Sequence, residues 1–150
     1  MSKIVIVGGV AGGATAAARL RRLDEKAEII VIERTGFVSY ANCGLPYYVG
    51  GVIKDDCDLT LQSPQSFLSR FNVDVRVSSE VTAIDREKKT VTVFSFDEGR
   101  EYVESYDTLI LSPGAKAMIP DTPGVHSERV LTLRTVEDAL KMRRLVEEEK

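Results

Sequence analysis

The first thirty-three residues constrain this chain more than any other stretch. Lys3-Ile-Val-Ile-Val7 is a continuous apolar, β-branched run, the pattern of a strand buried on both faces of a parallel sheet. It passes directly into Gly8-Gly9-Val10-Ala11-Gly12-Gly13. Ala14 to Leu23 is strongly helix-forming. Ala27 to Ile32 reads as a second strand, with Glu33 at its C-terminal end. Strand, glycine turn, helix, strand and terminal acid make a dinucleotide-binding βαβ unit. Glu33 stands 20 residues beyond Gly13, the interval such units use.

The spacing has a chemical reason. Glycines let the backbone approach a pyrophosphate and let the helix pack tightly on the strand, and the helix N-terminus then faces the phosphates. Glu33 can accept hydrogen bonds from both ribose hydroxyls and would repel a 2′-phosphate, which favours FAD or NAD over NADP. In a G-x-G-x-x-G register anchored on Gly8 and Gly13, the middle position is Val10. The plainer alternative makes Glu33 a solvated acid at a strand end.

The second landmark is Ser39-Tyr-Ala-Asn-Cys-Gly-Leu-Pro-Tyr-Tyr48. Pro46 suits the first turn of a helix, where its missing N–H has no partner to lose. Asn42 or Cys43 then lies close to the N-cap. A thiol there sees unpaired N–H groups and the positive end of the dipole, which favours its thiolate. The opposing possibility is a small buried cysteine that only packs. Cys57 stands among Asp55, Asp56 and Asp58, whose like charge disfavours a thiolate, so it is expected to be structural or incidental.

Between these landmarks and the C-terminus, Pro64, Phe67, Leu68 and Phe71 suggest an amphipathic helix of about two turns. Val73–Val77 alternates like a strand. Glu80–Asp85, Thr90–Phe94 and Glu101–Val103, separated by polar turns, form an antiparallel meander. Tyr106–Leu111 reads as another buried strand, ending in Ser112-Pro-Gly-Ala115 at the sheet edge where open α/β sheets bind ligands. A proline-containing connection follows, and its His126 is given no role. Thr135–Lys150 reads as a helix opened by a Thr135/Asp138 capping box.

Composition matters mainly for what it excludes. A net charge of -3 with no basic run argues against nucleic acid. No apolar run is long enough for a signal or a membrane span, so a cytoplasmic, non-membrane protein is expected. No metal site is expected. At 150 residues the chain is expected to be one domain.

Together these parts resemble the FAD-binding half of the pyridine nucleotide–disulfide oxidoreductases, over the whole chain. The resemblance implies an α/β fold: an FAD/NAD(P)-binding Rossmann-like domain, with a central parallel sheet and a small antiparallel β-meander layer. It implies that 1–150 is an N-terminal FAD-binding domain, with NAD(H)-binding and dimerisation domains downstream and a homodimer at full length. FAD contacts are implied at Gly8, Gly9, Val10, Ala11, Gly12, Gly13, Glu33, Arg34, Asn42, Val81, Ser112 and Gly114. Leu133-Arg-Thr-Val-Glu-Asp-Ala139 resembles the passage into the nicotinamide domain.

The cysteine stretch points to a branch. Relatives with a C-x4-C redox pair carry a second cysteine five residues on; here that residue is Tyr48. The resemblance is to the single-cysteine branch, nearest the coenzyme A disulfide reductases, with Cys43 as the redox-active residue. Thr15, Arg19, Arg22, Ser39 and Asn42 are the implied coenzyme A contacts, and the first three share one helical face. Another basic contact of those reductases falls on Phe71, with Arg70 beside it. The expected enzyme takes electrons from NADH or NADPH and reduces coenzyme A disulfide or a related persulfide or polysulfide. Two alternatives stay open: an NADH oxidase or peroxidase using a cysteine sulfenic acid, and a non-catalytic FAD-binding redox module. Oxidases and peroxidases of this branch carry a histidine where this chain has Ala11, which counts against them.

Overall fold

A computed structural model describes residues 2–148. In chain order the elements are β1 (Lys3–Val7), α1 (Ala11–Leu23), β2 (Glu28–Ile32), α2 (Leu45–Val49), α3 (Pro64–Phe71), β3 (Asp74–Arg76), β4 (Ser79–Asp85), β5 (Thr90–Ser95), β6 (Arg100–Ser105), β7 (Thr108–Leu111) and α4 (Val136–Glu148). Short 3-10 turns stand at Asn42–Gly44 and Asp56–Leu59. The chain divides into two compact units, Met1–Ser39 with Gln62–Gly114, and Tyr40–Leu61 with Ala115–Lys150.

The first unit is built on a parallel sheet of order β3-β2-β1-β7. The two-sided burial expected of β1 is what the strand does. Ile4 and Ile6 face one core with Ile29, Val31, Ala14, Ala17, Phe67 and Val73. Val5 faces the opposite core with Ile30, Ile32, Val91 and Val93. Successive residues of a strand point to opposite faces, so an uninterrupted apolar run supplies both layers. Each fully buried Ile or Val contributes about 1.5–3 kcal/mol. Ala14 and Ala17 have no bulk beyond Cβ, which lets α1 lie close on the sheet.

The meander forms a separate three-stranded antiparallel sheet of order β4-β5-β6. β5 alternates strictly, with Val91, Val93 and Ser95 buried. The helix over Pro64–Phe71 has the expected length. Its cap is a Ser63/Ser66 capping box with Pro64 in the first turn, a signal legible in Ser-Pro-Gln-Ser that the apolar spacing alone overlooks.

Three expectations need correction. α1 begins at Ala11, not at Ala14, so Ala11, Gly12 and Gly13 are helical and Val10 is the cap. β7 is not a buried strand: it is the edge of its sheet, and Leu111 is 57% exposed. The helix after the cysteine is only five residues long, with Cys43 in the 3-10 turn before it.

The second unit holds α2, the two 3-10 turns and α4. Tyr40 and Thr60 form an antiparallel bridge, and the Ala41 N–H donates to the Leu59 carbonyl at 2.8 Å. Tyr40, Gly44, Leu45, Tyr48, Leu59, Val136 and Ala139 are its buried residues among those described. The expected capping box opens α4: the Asp138 carboxylate accepts the Thr135 N–H at 3.0 Å, and the Asp138 N–H donates to Thr135 Oγ1 at 3.3 Å. Residues 149–150, the end of the expected helix, lie outside the described residues. Among the described residues, no helix is long and apolar enough to cross a membrane.

Candidate functional site: a glycine cradle and a cysteine turn

The glycine turn stands at the C-terminal ends of β1 and β7. Gly8 has φ +93°, and a Cβ on it would come 2.1 Å from the Ser112 carbonyl oxygen. Gly13 is buried in the first turn of α1, where a Cβ would lie 1.7 Å from the Gly8 oxygen. Neither position admits a side chain, and the reason is packing of backbone on backbone. A Cβ on Gly12 would reach only 3.1 Å from Ser112 Oγ, and Gly12 is exposed. Val10 offers no side-chain acceptor and no acid stands in the first turn of α1. The leading N–H groups of a 13-residue helix are therefore left for an anion.

Glu33 is buried, at 6% exposure. Its Oε2 accepts the Gly9 N–H at 2.7 Å, while Oε1 accepts the Thr35 N–H and hydroxyl, both at 2.9 Å. The solvated-acid alternative is thus set aside: the carboxylate braces the glycine turn. A carboxylate has about four acceptor sites, so these three donors leave room for one more, on Oε2. Thr35 was missed by the sequence analysis, although a threonine two residues beyond a strand-end acid is well placed to donate to it.

The remaining predicted residues of this unit are dispersed. Ser112 is half-buried, and Gly114 has φ +71°. Val81 is half-buried on β4 against the Val5 core. Arg34 pairs with Glu80 at 3.7 Å. Ser39 takes a left-handed φ of +51°, held by its N–H on the Gly9 carbonyl at 2.9 Å. Thr15, Arg19 and Arg22 share an exposed face of α1, and no side-chain bond or ion pair holds either arginine among the described residues. Arg21, between them in sequence, faces the other way. It donates to the carbonyls of Phe71, Asp24, Glu25, Ala27 and Asn72 at 2.7–3.1 Å. One arginine of the cluster is a structural bolt and two are free.

In the second unit Cys43 is exposed, which removes the packing alternative. Cys57 is exposed too, in the other 3-10 turn. Gly44, next to Cys43, is buried; a Cβ there would meet Leu59 at 3.2 Å and Ile53 at 3.3 Å. Tyr48 is buried at 9% exposure. Asn42 Oδ1 is buried with no hydrogen-bond partner, an acceptor that awaits a donor. The helix that follows Cys43 is five residues long, little more than one turn.

A pyridine nucleotide-disulphide oxidoreductase family model matches residues 2–150. The chain belongs to this family. A coenzyme A disulfide reductase of Staphylococcus epidermidis is 47% identical over 138 residues, 92% of this chain and 31% of the relative. One from Staphylococcus aureus is 45% identical over the same share. The chain therefore spans about a third of the length of the curated relatives it matches. Among solved structures of oxidoreductases, reduced Bacillus anthracis CoADR-RHD superposes with a TM-score of 0.95 at 50% identity, covering 99% of this chain and 27% of that one. The NAD-dependent persulfide reductase of A. fulgidus gives 0.91 at 38%, covering 97% and 27%. The FAD/NAD(P)-binding Rossmann-like fold expected of the sequence is the fold observed, parallel sheet and antiparallel meander included.

Proposed function

We propose that this chain supplies the FAD-binding and substrate-thiol part of an NAD(P)H oxidoreductase that reduces coenzyme A disulfide, or a coenzyme A persulfide or polysulfide, through Cys43. The observation that carries it is the exposed Cys43 in a chain 47% identical to a coenzyme A disulfide reductase.

The cradle fits FAD. Gly8 and Gly13 bring backbone to where a pyrophosphate approaches, the uncapped α1 supplies N–H donors, and Glu33 Oε2 keeps one acceptor site for a ribose hydroxyl. Asn42, a further FAD contact that the resemblance implies, lies in the second unit, where its Oδ1 is a buried acceptor without a partner. Bound there, FAD would supply the two-electron redox chemistry that couples NAD(P)H oxidation to disulfide reduction.

The chain's own chemistry is thiol–disulfide exchange. Cys43 thiolate attacks one sulfur of coenzyme A disulfide; the new S–S bond forms as the old one breaks, and one coenzyme A thiolate leaves and takes a proton. Arg19 and Arg22, free on one face, suit the phosphates of a coenzyme A moiety, and Thr15 on the same face offers a hydroxyl. The enzyme acts as a homodimer in the cytoplasm.

A second reading has its own support. The water-forming NADH oxidase of Lactobacillus brevis superposes with a TM-score of 0.90 at 30% identity, covering 99% of this chain and 33% of that one. In that reading Cys43 cycles through a sulfenic acid. Ala11, at the head of α1, supplies no proton donor or acceptor for peroxide chemistry.

Steady-state assays of the full-length protein decide. NAD(P)H oxidation that depends on coenzyme A disulfide and vanishes in Cys43→Ser is the expected result. Oxygen consumption without stimulation by coenzyme A disulfide would overturn it in favour of the oxidase. Unchanged activity in Cys43→Ser would leave a non-catalytic role for that cysteine.

A further inference from the structure

Arg143 of α4 reaches the C-terminal end of α2. Its Nη1 donates to the Tyr48 carbonyl at 3.2 Å, and its guanidinium carbon lies 6.0 Å from the centre of the Tyr48 ring. Nε is held by Glu147. The side chain is 23% exposed. Gly51, with φ +79°, makes room for it: a Cβ there would lie 2.7 Å from Nη1.

The contact matters because of what α2 is. Five residues are too few to hold a helix by themselves. Its last carbonyls are met by the turn that follows, with the Gly50 N–H on Pro46 at 2.9 Å, the Val52 N–H on Tyr47 at 2.9 Å and the Gly51 N–H on Tyr48 at 3.0 Å, and Arg143 is a second donor on the Tyr48 carbonyl. To that local turn, the rest of the unit adds burial of Leu45 and Tyr48 and the guanidinium that bonds the Tyr48 carbonyl and lies over its ring. Cys43 stands in the Asn42–Gly44 turn that runs unbroken into α2, and its own side chain is exposed. Its position is set from both sides, by the Ala41 N–H on the Leu59 carbonyl before it and by the helix that follows.

We propose that Arg143 is a positioning residue for Cys43: by bonding the Tyr48 carbonyl and lying over its ring, it fixes α2 and so the place of the thiol. This rests on Cys43 being the reacting cysteine. Lysine at 143 can keep the bond to the carbonyl, whereas methionine keeps only the apolar stem.

The test uses the full-length flavoprotein with Cys57→Ser as background. The probe is 5,5′-dithiobis(2-nitrobenzoate), with its adduct on the Cys43 peptide followed by mass spectrometry. Kinetics with coenzyme A disulfide run in parallel. Arg143→Met is expected to slow Cys43 labelling and kcat about tenfold, with flavin content and the KM for NAD(P)H unchanged. Arg143→Lys is expected to recover most of that loss. Wild-type rates in Arg143→Met, or an Arg143→Lys as slow as Arg143→Met, would overturn the proposal. If Arg143→Met does not fold, Glu147→Gln carries the test: Cys43 labelling slowed about twofold supports it, and an unchanged rate overturns it. Cys43→Ser separates the two claims. An inactive Cys43→Ser beside an unaffected Arg143→Met removes only the role of Arg143; an active Cys43→Ser removes both.

Discussion

The Glu33 carboxylate accepts the Gly9 N–H at 2.7 Å, tying the end of β2 to the turn that leaves β1. Both groups are buried, and Thr35 fills the other carboxylate oxygen with two donors. An acid expected to serve a ribose is thus also a brace for the turn that would hold the nucleotide.

Replacing Glu33 by Ala leaves the Gly9 and Thr35 N–H groups without their acceptor, while the Thr35 hydroxyl keeps the Phe37 carbonyl at 3.0 Å. The expected loss is about 2–3 kcal/mol, read from urea unfolding, together with weakened FAD retention. Glu33→Gln recovers only part of it, because an amide has one acceptor oxygen where three donors converge.

Glycine positions separate strain from contact. Gly13→Ala drives a methyl to 1.7 Å from the Gly8 oxygen, so it should cost about 1–3 kcal/mol and release FAD. Gly99→Ala meets nothing within 4 Å but must hold a φ of +64°. It should cost about 1–2 kcal/mol and leave FAD bound. Thermal unfolding and flavin fluorescence of the two variants make the comparison.

The neighbouring arginines of α1 should behave oppositely. Arg21→Met abandons five carbonyls from two segments and is expected to lower the unfolding midpoint clearly. Arg19→Ala with Arg22→Ala should leave that midpoint in place. It should instead raise the KM for coenzyme A disulfide by about tenfold, the scale of one charge-assisted hydrogen bond.

Acid should loosen the first unit through Glu104, which bonds Lys3 and Arg76, each at 2.6 Å. Burial pushes the Glu104 carboxyl up, but the hydrogen bonds from Lys3 and Arg76 outweigh it and hold it below the ordinary glutamate value. Because the folded value is the depressed one, the stabilisation is complete above about pH 4.3 and is lost as pH falls through the folded value. Lys3 is raised, by its bond to Glu104 first, so its share is complete below about pH 10.4 and is lost as pH rises above that. Glu104→Gln should remove the acid-side part of the slope, measured as urea midpoints between about pH 3 and 7.

Periodicity and spacing alone determined the βαβ unit, the meander, the capped helix expected over Thr135–Lys150 and the glycine turn. These rest on local patterns: β-branched runs, alternation, a Thr/Asp box, and glycines where backbones meet. The resemblance of the cysteine stretch singled out Cys43 in the same way. The limits of local pattern show at particular residues. β7 has the apolar composition of an inner strand, but strand order makes it an edge. Arg19, Arg21 and Arg22 look alike in sequence, and only the carbonyls of Phe71 and Asn72, some fifty residues away, set Arg21 apart. Pro46 signalled a helix start without revealing that the helix would be five residues long. Nor could it reveal that Arg143, 95 residues beyond Tyr48, would hold its far end. Hydrogen bonds and burial between distant segments depend on where the chain returns. The tertiary structure alone decided them, and with them which of several similar side chains are left free to meet a ligand.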